Sequence, residues 1–271
     1  MRQHIAFIGG GNMASAIIGG LIKQGLSPQH ITVVEPFEDA RTKLQSNFGI
    51  TAQPQAGAFL TAAKLVVWAV KPQTFKEAAH SVAAHTTQAL HLSVAAGIRS
   101  DSIAAWLGTE RVVRAMPNTP ALIGQGISGL FARAAVTSTD KAQIEQVMST
   151  TGQFLWLEGE SQLDAVTALS GSGPAYVFYF MEAMTMAGVE MGFTRDQAHQ
   201  LAVATFSGAS ALAQASSDSP QVLRQRVTSK GGTTFAAISS MEDNDVRALF
   251  IDAMYAARER AKQLGDEFGT A

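Results

Sequence analysis

The first residues that could do chemistry form the pattern Gly9-x-Gly11-x-x-Ala14, which follows a short apolar run and precedes a helical pattern. Gly9 permits a tight turn, and Gly11 lets the backbone come close to a pyrophosphate. Ala14 keeps the helix near the strand, so that free N–H groups of the first helical turn point at phosphate oxygens. The pattern predicts a dinucleotide site, with a glycine-rich turn that binds nothing as the alternative.

Glu35 ends the second strand-like run, where an acidic side chain accepts hydrogen bonds from an adenosine ribose. Its charge should repel a 2′-phosphate, which favours NADH slightly over NADPH. Arg41, one turn into the next helix, could instead receive that phosphate. A Glu35 that is only a solvent-exposed strand end is nearly as compatible with the pattern, so the choice between NADH and NADPH stays open.

Small and polar residues follow three further strand-like runs, at the edge where parallel sheets bind ligands. Lys71 can contact a cofactor phosphate or ribose there, or be an ordinary surface lysine. The segment 95–97 (Ala-Ala-Gly) leaves room for a flat ring. Asn118, between Pro117 and Pro120, offers a donor and an acceptor, or belongs only to a rigid turn.

Two glycines and several hydroxyl residues precede a helical pattern at 227–234 (Val-Thr-Ser-Lys-Gly-Gly-Thr-Thr). Backbone N–H groups at such a helix start form an anion pocket that suits a carboxylate, and Lys230 adds positive potential. A helix start with a simple glycine turn is equally compatible. A second interruption, residues 169–176, has small residues that permit a close approach by a ligand or another helix.

Strand patterns alternate with helical ones up to about residue 159, which predicts a doubly wound α/β domain of Rossmann type over 1–159. Residues 126–132 read as a hairpin-like or edge strand. After residue 160 the strand patterns stop, and helices are predicted at 173–191, 195–216, 219–227 and 243–265. The sequence therefore predicts an all-α C-terminal domain over 160–271.

The helix predicted at 173–191 is apolar almost all round, so it must be buried. About 110 residues of helix offer few layers in which to bury it. A partner subunit is the simplest source of the missing layer, and an ordinary core helix is the alternative.

The composition excludes several classes of protein. The chain has 271 residues, of which 46% are hydrophobic and 15% charged, with a net charge of −2 and no cysteine. These values exclude a disordered chain, disulfides and a basic surface for nucleic acid or acidic membranes. No signal peptide and no apolar run near the ~20 residues of a membrane span is expected, and a cytoplasmic location is predicted.

Six blocks together resemble the pyrroline-5-carboxylate reductase family in order and spacing, over essentially the whole chain. They are FIGGGNMA at 7–14, AVKPQ at 69–73, SVAAG at 93–97, RAMPNTP at 114–120, LSGSGPAY at 169–176 and VTSKGGTT at 227–234. The first block is shared with many dehydrogenases, whereas the MPNTP, SGSGPAY and GGTT blocks are much more specific. One departure is Lys230, where most family members have proline.

The resemblance implies a Rossmann domain and a helical dimerisation domain, assembled as a homodimer or as a homodecamer of five dimers. It also implies reduction of 1-pyrroline-5-carboxylate to L-proline with NADPH or NADH, the last step of proline biosynthesis. The cofactor-binding residues would be Gly9, Gly11, Asn12, Met13, Glu35, Val70, Lys71, Pro72, Ala96, Gly97 and Asn118. The residues holding the substrate carboxylate would be Ser229, Gly231, Gly232, Thr233 and Thr234.

A protonated cyclic imine is already a strong electrophile, so such an enzyme needs mainly to position the ring and exclude water. Thr234 would orient the imine nitrogen rather than act as an acid, because a threonine hydroxyl is a poor acid. No catalytic triad is evident, and none of the six histidines pairs with carboxylates at metal-ligand spacing.

Two other functions compete with this interpretation. The β-hydroxyacid dehydrogenases also join a Rossmann domain to a helical domain, but they need a lysine acid/base. No lysine occurs from Ala142 through Ser229, which counts against that class. A non-catalytic sensor that binds NAD(P) is the third hypothesis, although a carboxylate-ready loop makes little sense for it.

Overall fold

The computed structural model describes residues 4–269 and contains one seven-stranded sheet. The strands are β1 (Ile5–Ile8), β2 (Ile31–Val34), β3 (Leu65–Trp68), β4 (Leu90–Ser93), β5 (Val112–Met116), β6 (Gly126–Ala132) and β7 (Gly152–Trp156). Their order is β2-β1-β3-β4-β5-β6-β7, and the first five are mutually parallel. The predicted doubly wound α/β domain is confirmed.

Eleven α-helices occur within the described residues. They are α1 (Asn12–Lys23), α2 (Glu38–Phe48), α3 (Pro72–Ala83), α4 (Ser100–Leu107), α5 (Ser138–Met148), α6 (Gln162–Val166), α7 (Gly173–Glu190), α8 (Arg195–Ala215), α9 (Pro220–Arg226), α10 (Thr233–Asp243) and α11 (Val246–Phe268). The helix predicted from residue 243 begins instead at Val246, because Asp245 adopts a left-handed conformation with φ 54° that separates α10 from α11.

The parallel strands are buried on both faces, as their continuous apolar sequences require. Ile5 and Phe7 of β1 point to a cluster that includes Ile17 of α1 and Ile144 of α5. The alternate side chains of β1 and β3 point to a second cluster, with Phe75 of α3 among its members. The sheet is therefore covered by helices on both sides, which leaves its strand ends to carry function.

Strand β6 is antiparallel to β5, in keeping with the hairpin-like alternative, but its prediction as an edge strand is wrong. Its other side pairs with β7 in parallel, from Gly126 opposite Gly152 to Leu130 opposite Trp156. The strand pattern of β7 shows only that a strand exists there, since the pairing partner is chosen by tertiary packing.

Two compact units divide the chain. Gly173–Ala256 form a helical unit, and the described residues on either side of that range form the sheet unit. The predicted division into 1–159 and 160–271 stays a prediction. By contacts, α6 and the last turns of α11 group with the sheet, because residues such as Leu163 and Ala261 are buried there.

The helical unit exposes a large apolar surface. Within α7, all of whose residues are described, no side chain is buried, and Phe178 is 62% exposed. Tyr176 and Phe180 of α7 pack edge-on against Phe250 of α11, with ring centroids 5.7 and 5.6 Å apart. These contacts cover one side of α7 and leave the other open.

A buried histidine, His91 of β4, lies beside the second core cluster of the sheet unit. The Trp68 indole Nε1–H donates to His91 Nδ1 over 3.1 Å, and Trp68 stacks on Phe75 with centroids 4.8 Å apart. Burial lowers the pKa of His91 to about 4, with a smaller lowering contribution from Arg111, and the backbone of Thr86 offsets only part of the shift. His91 is therefore a neutral acceptor within the core.

The lowered pKa of His91 makes the folded state sensitive to acid. Between about pH 6.5 and pH 4 the unfolded chain binds a proton that the folded chain does not, so stability falls as the pH falls. We expect His91→Gln to be less stable than the parent at pH 7. At pH 5 the difference in their free energies of unfolding should be smaller by about 2 kcal/mol, because only the parent loses this stability on acidification. Urea unfolding of both proteins at the two pH values measures this.

The matched control is His80→Gln, which replaces an exposed histidine of α3 and should follow the parent at both pH values. If the difference in unfolding free energy between His91→Gln and the parent does not change with pH, the neutral, buried state of His91 is contradicted.

Candidate functional site

The carboxyl ends of β1, β3 and β4 lie at one edge of the sheet. Ile8 is in register with Trp68, and Trp68 with Ser93. The backbone continues the ladder beyond these residues, because Ala69 N–H donates to Ile8 O at 2.8 Å and Val94 N–H donates to Trp68 O at 3.0 Å. The three loops that sequence analysis singled out therefore start side by side.

The turn after β1 has the geometry that the predicted phosphate cradle requires. Gly9 has φ +93°, and a Cβ there would lie 2.5 Å from the carbonyl oxygen of Ala69, so only glycine fits. Gly11 is the N-cap of α1, offers no side-chain cap, and a Cβ there would meet nothing within 4 Å. The N–H groups of Asn12 and Met13 have no acceptor within residues 4–269, and the space beside Gly11 is open, which fits a bound pyrophosphate.

Glu35 is not exposed at a strand end, because its carboxylate accepts hydrogen bonds from the backbone of the sheet unit. It is only 6% exposed, and its Oε2 accepts the Gly10 N–H at 2.7 Å while Oε1 accepts the Phe37 N–H at 2.9 Å. Hydrogen bonds to a charged group contribute about 1.5–3 kcal/mol each. Glu35 therefore holds the glycine-rich turn against the start of α2, and its place beside that turn is compatible with the predicted ribose contact.

Arg41 lies at the same turn. Its Nη1 donates to the carbonyl oxygens of Glu35, at 3.1 Å, and Pro36, at 2.6 Å. These bonds bring the guanidinium to the end of β2, where a 2′-phosphate would follow from the Rossmann arrangement. A carboxylate and a guanidinium thus share the predicted adenosine end of the site, so the geometry accommodates NADH and NADPH.

The loop after β3 presents Lys71 to solvent. Lys71 is the N-cap of α3, its side chain is exposed, and Pro72 occupies the first helical turn. Val70 lies beside the glycine-rich turn, with its Cγ1 3.2 Å from the position of a Cβ on Gly9. The predicted cofactor contacts of this loop are thereby placed next to the phosphate cradle.

The β4–α4 loop, residues 94–99, contains Ala96 and Gly97, which are both half-buried. Gly97 has φ +73°, a conformation that residues with a side chain rarely adopt. The loop leaves the same sheet edge as the phosphate cradle, as the prediction of a flat-ring contact requires.

Asn118 stabilises the turn that follows β5. Its Oδ1 accepts the Ile127 N–H at 3.0 Å, and its backbone carbonyl accepts the Ala121 N–H at 3.1 Å. The side-chain oxygen therefore fixes the entry to β6, as the rigid-turn alternative expects. The Asn118 amide N–H₂ has no partner in residues 4–269 and stays a predicted donor to the cofactor.

In the helical unit, residues 227–234 form a loop that ends at the start of α10. Gly231 has φ +76°, and Gly232 is an N-cap without a side-chain cap, with its N–H bonded to Ser229 O at 3.0 Å. Thr234 is half-buried in the first turn, whose N–H groups lack intrahelical partners. The predicted carboxylate pocket, which includes Ser229, Gly231, Gly232, Thr233 and Thr234, is compatible with this geometry.

The other interruption, residues 169–176, is only partly a loop. A π-helical turn (Thr167–Gly171) follows α6, and α7 begins at Gly173. A Cβ on Gly171 would lie 2.6 Å from Met116 Cε at the end of β5, so a small residue permits this close approach. Among residues 4–269 no group of three acidic, histidine or cysteine residues could hold a metal ion, and no helix has the length and apolarity to span a membrane.

One polar cluster beside the β4–α4 loop was missed by the sequence analysis. Glu160 accepts the Ser100 N–H and hydroxyl, each at 2.6 Å, and pairs with the buried Arg114 at 2.7 Å. Arg133 also donates to the Ser100 hydroxyl, at 3.2 Å. Glu160 therefore caps the N-terminus of α4 from a distant part of the chain, and no local pattern could have revealed this.

Two family models match the chain. One describes pyrroline-5-carboxylate reductase dimerisation and matches residues 160–264, and the other describes an NADP oxidoreductase, coenzyme F420-dependent, and matches residues 4–97. The chain is 45% identical over 267 residues to a pyrroline-5-carboxylate reductase of Pseudomonas aeruginosa, with 98% of each chain covered.

Solved structures of pyrroline-5-carboxylate reductases superpose on the chain over nearly its whole length. A pyrroline-5-carboxylate reductase of Coxiella burnetii superposes with a TM-score of 0.91 at 38% identity, covering 100% of both chains. A pyrroline carboxylate reductase of Plasmodium falciparum with NADP bound superposes with a TM-score of 0.85 at 26% identity, covering 97% of this chain and 98% of that one.

Arg41 provides a test of the adenosine end of the site. Only NADPH carries the 2′-phosphate, so we expect Arg41→Ala to raise the Kd for NADPH about tenfold and to change the Kd for NADH less than twofold. The nicotinamide fluorescence of each reduced cofactor, titrated without substrate, measures both constants. Lys43→Ala removes an exposed cation of the same helix and should leave both unchanged. Equal weakening of both cofactors would contradict the assignment.

Proposed function

The chain belongs to the pyrroline-5-carboxylate reductase family, and we propose that it reduces 1-pyrroline-5-carboxylate to L-proline with NADPH or NADH. The observation that carries this proposal is the loop at 227–234, which ends in an uncapped helix N-terminus after two glycines. A carboxylate is the group that this arrangement of N–H donors suits best. The glycine-rich cradle of the sheet unit supplies the second requirement, a dinucleotide site.

The cofactor residues proposed are Gly9, Gly11, Asn12, Met13, Glu35, Val70, Lys71, Pro72, Ala96, Gly97 and Asn118. The first four bind the pyrophosphate at the start of α1, with Lys71 adding positive charge. Ala96 and Gly97 leave room for the nicotinamide ring, and Asn118 offers its amide N–H₂. When bound, the reduced nicotinamide supplies a hydride that is transferred to C5 of the protonated imine.

The substrate residues have a positioning role. Ser229, Gly231, Gly232 and Thr233 surround the carboxylate, which accepts hydrogen bonds from the free N–H groups and hydroxyls of this loop. Lys230 raises the local positive potential. The Thr234 hydroxyl accepts a hydrogen bond from the N–H of the protonated imine and fixes the ring orientation. Because the protonated imine is already electrophilic, orientation and exclusion of water account for the catalysis that this chain has to provide.

The exposed apolar surface of α7 supports a homodimer. Phe178, Tyr179 and Met186 are 62%, 70% and 59% exposed on one helix, and such a surface marks a protein interface. The match of residues 160–264 to a dimerisation family favours a second copy of the chain as the partner. A homodecamer and a cytoplasmic location stay predictions.

The reaction is tested by adding pyrroline-5-carboxylate to the protein with NADPH or NADH and following the absorbance of the reduced cofactor. We expect oxidation with at least one cofactor, and about a tenfold or larger loss of kcat/KM for Thr234→Ala, since a misplaced ring leaves the reactive geometry. Ser240→Ala removes an exposed hydroxyl from the same helix and should keep the parent rate.

Cofactor binding without turnover in the folded parent protein would reject the reductase and favour a non-catalytic NAD(P) sensor. An unchanged kcat/KM in Thr234→Ala would remove Thr234 from the proposed site and leave the reaction standing.

The assembly is tested by sedimentation. We expect the parent to sediment with at least twice the mass of one chain. The substitutions Phe178→Glu and Met186→Glu together should shift the protein toward monomer, because two charges would be buried unpaired in the interface. Leu155→Glu, at an exposed position of β7, is the control. A monomeric parent at micromolar concentration would contradict the proposal.

A further inference from the structure

The β4–α4 loop does not fix its own conformation. Its first residue, Val94, is still bonded to β3, but from Ala96 to Arg99 no backbone N–H has an acceptor within residues 4–269. Gly97 at φ +73° makes this stretch more flexible than a loop of residues with side chains. The shape of the loop must therefore be imposed by what packs against it.

The last turns of α11 pack directly on this loop. A Cβ on Gly97 would lie 3.2 Å from Cβ of Leu264, so the backbone at Gly97 rests against that residue. Gly265 is buried, and a Cβ there would lie 3.3 Å from Nε of Arg99. Both close approaches occur where one of the two partners has no side chain, and together they set the separation between helix and loop.

Two polar contacts hold the same elements together. Arg99, at the end of the loop, forms an ion pair with Asp266. The Ser102 hydroxyl of α4 donates to the carbonyl of Gly269 at 2.8 Å, just beyond α11. On the other side of the loop, the carboxylate of Glu160 holds Ser100. These contacts therefore hold the loop where it enters α4, from the side of α11 and from the side of Glu160.

We propose that Leu264, Gly265, Asp266 and Gly269 form a C-terminal clamp that sets the conformation of the β4–α4 loop and thereby the affinity for NAD(P)H. The inference rests on the proposed function, in which Ala96 and Gly97 accommodate the nicotinamide. The clamp residues are positioning residues, because they act through the loop and not on the cofactor. The Arg99–Asp266 pair is largely exposed and contributes less than the packing at Gly265, which is the main determinant.

The full-length variant Gly265→Leu tests the clamp by placing a side chain between α11 and Arg99. We expect the Kd for NADPH, from nicotinamide fluorescence without imine, to rise about tenfold, as does the KM for NADPH. The KM for the imine should change less than twofold, because the displaced loop is not part of the carboxylate pocket proposed at 227–234. A loss of folded protein alone would lower kcat and leave the Kd of the remaining molecules unchanged.

A second substitution tests whether the side chain added at position 265 acts by displacing Arg99. Arg99→Ala makes room for the added side chain, so the double variant should bind NADPH more tightly than Gly265→Leu. Lys262→Leu, at an exposed position of α11, is the matched control and should bind like the parent. A folded Gly265→Leu with the parent Kd would overturn the proposal, as would an equal loss in Lys262→Leu.

A milder pair of variants decides the matter if Gly265→Leu does not fold. Asp266→Asn should raise the Kd for NADPH about twofold to threefold at low salt, and Asp266→Glu should restore it. Glu267→Gln makes the same charge change one residue further, where the ion pair is with Arg260 of α11 itself, and should have no effect. An unchanged Kd in Asp266→Asn would then overturn the clamp. Absence of imine turnover in the parent would reject the proposed reaction, whereas the Kd series would still decide the clamp.

Discussion

The cofactor edge of the sheet depends on the close approach of two loops, at Gly9 and Ala69. The carbonyl oxygen of Ala69 occupies the space that a Cβ on Gly9 would need, and the positive φ of Gly9 turns the chain into α1 at that point. The uncapped N-terminus of α1 is thereby directed at the strand ends. Any side chain at Gly9 would separate β3 from the turn and misplace the N–H donors.

Charged side chains around this edge hold backbone in place. Glu35 binds two backbone N–H groups, and Glu160 binds the N–H that begins α4. A carboxylate that accepts such bonds stabilises a loop whose backbone is not paired with a neighbouring strand. Each hydrogen bond to a charged group is stronger than one between neutral groups. These bonds fix the Gly9 turn, the β2–α2 turn and the start of α4, whereas the loop at 96–99 is packed by Ile98 in the second core cluster and by Leu264 of α11.

The helical unit follows a different physical rule. Its helices expose apolar surface on α7 that no residue of that unit covers, because a unit of 84 residues is too small to surround an apolar helix. The match of residues 160–264 to a dimerisation family and this exposed surface both favour completion of the unit by a second copy. The same unit carries the 227–234 loop, so the chemistry assigned to that loop depends on an element whose own core is incomplete in one chain.

The sequence by itself determined the elements and the family, because strand and helix periods and the six motif blocks are local in the chain. It placed Gly9 at a tight turn and Asn118 at the sheet edge, whereas the left-handed backbone of Gly97 and Gly231 is seen only in the structure. Only the tertiary structure decided that β6 lies inside the sheet, that Glu35 is buried against Gly10, and that Glu160 and the end of α11 hold the β4–α4 loop. These contacts join residues from 25 to more than 160 positions apart, and their partners are selected by packing and burial, which no local pattern of residues encodes.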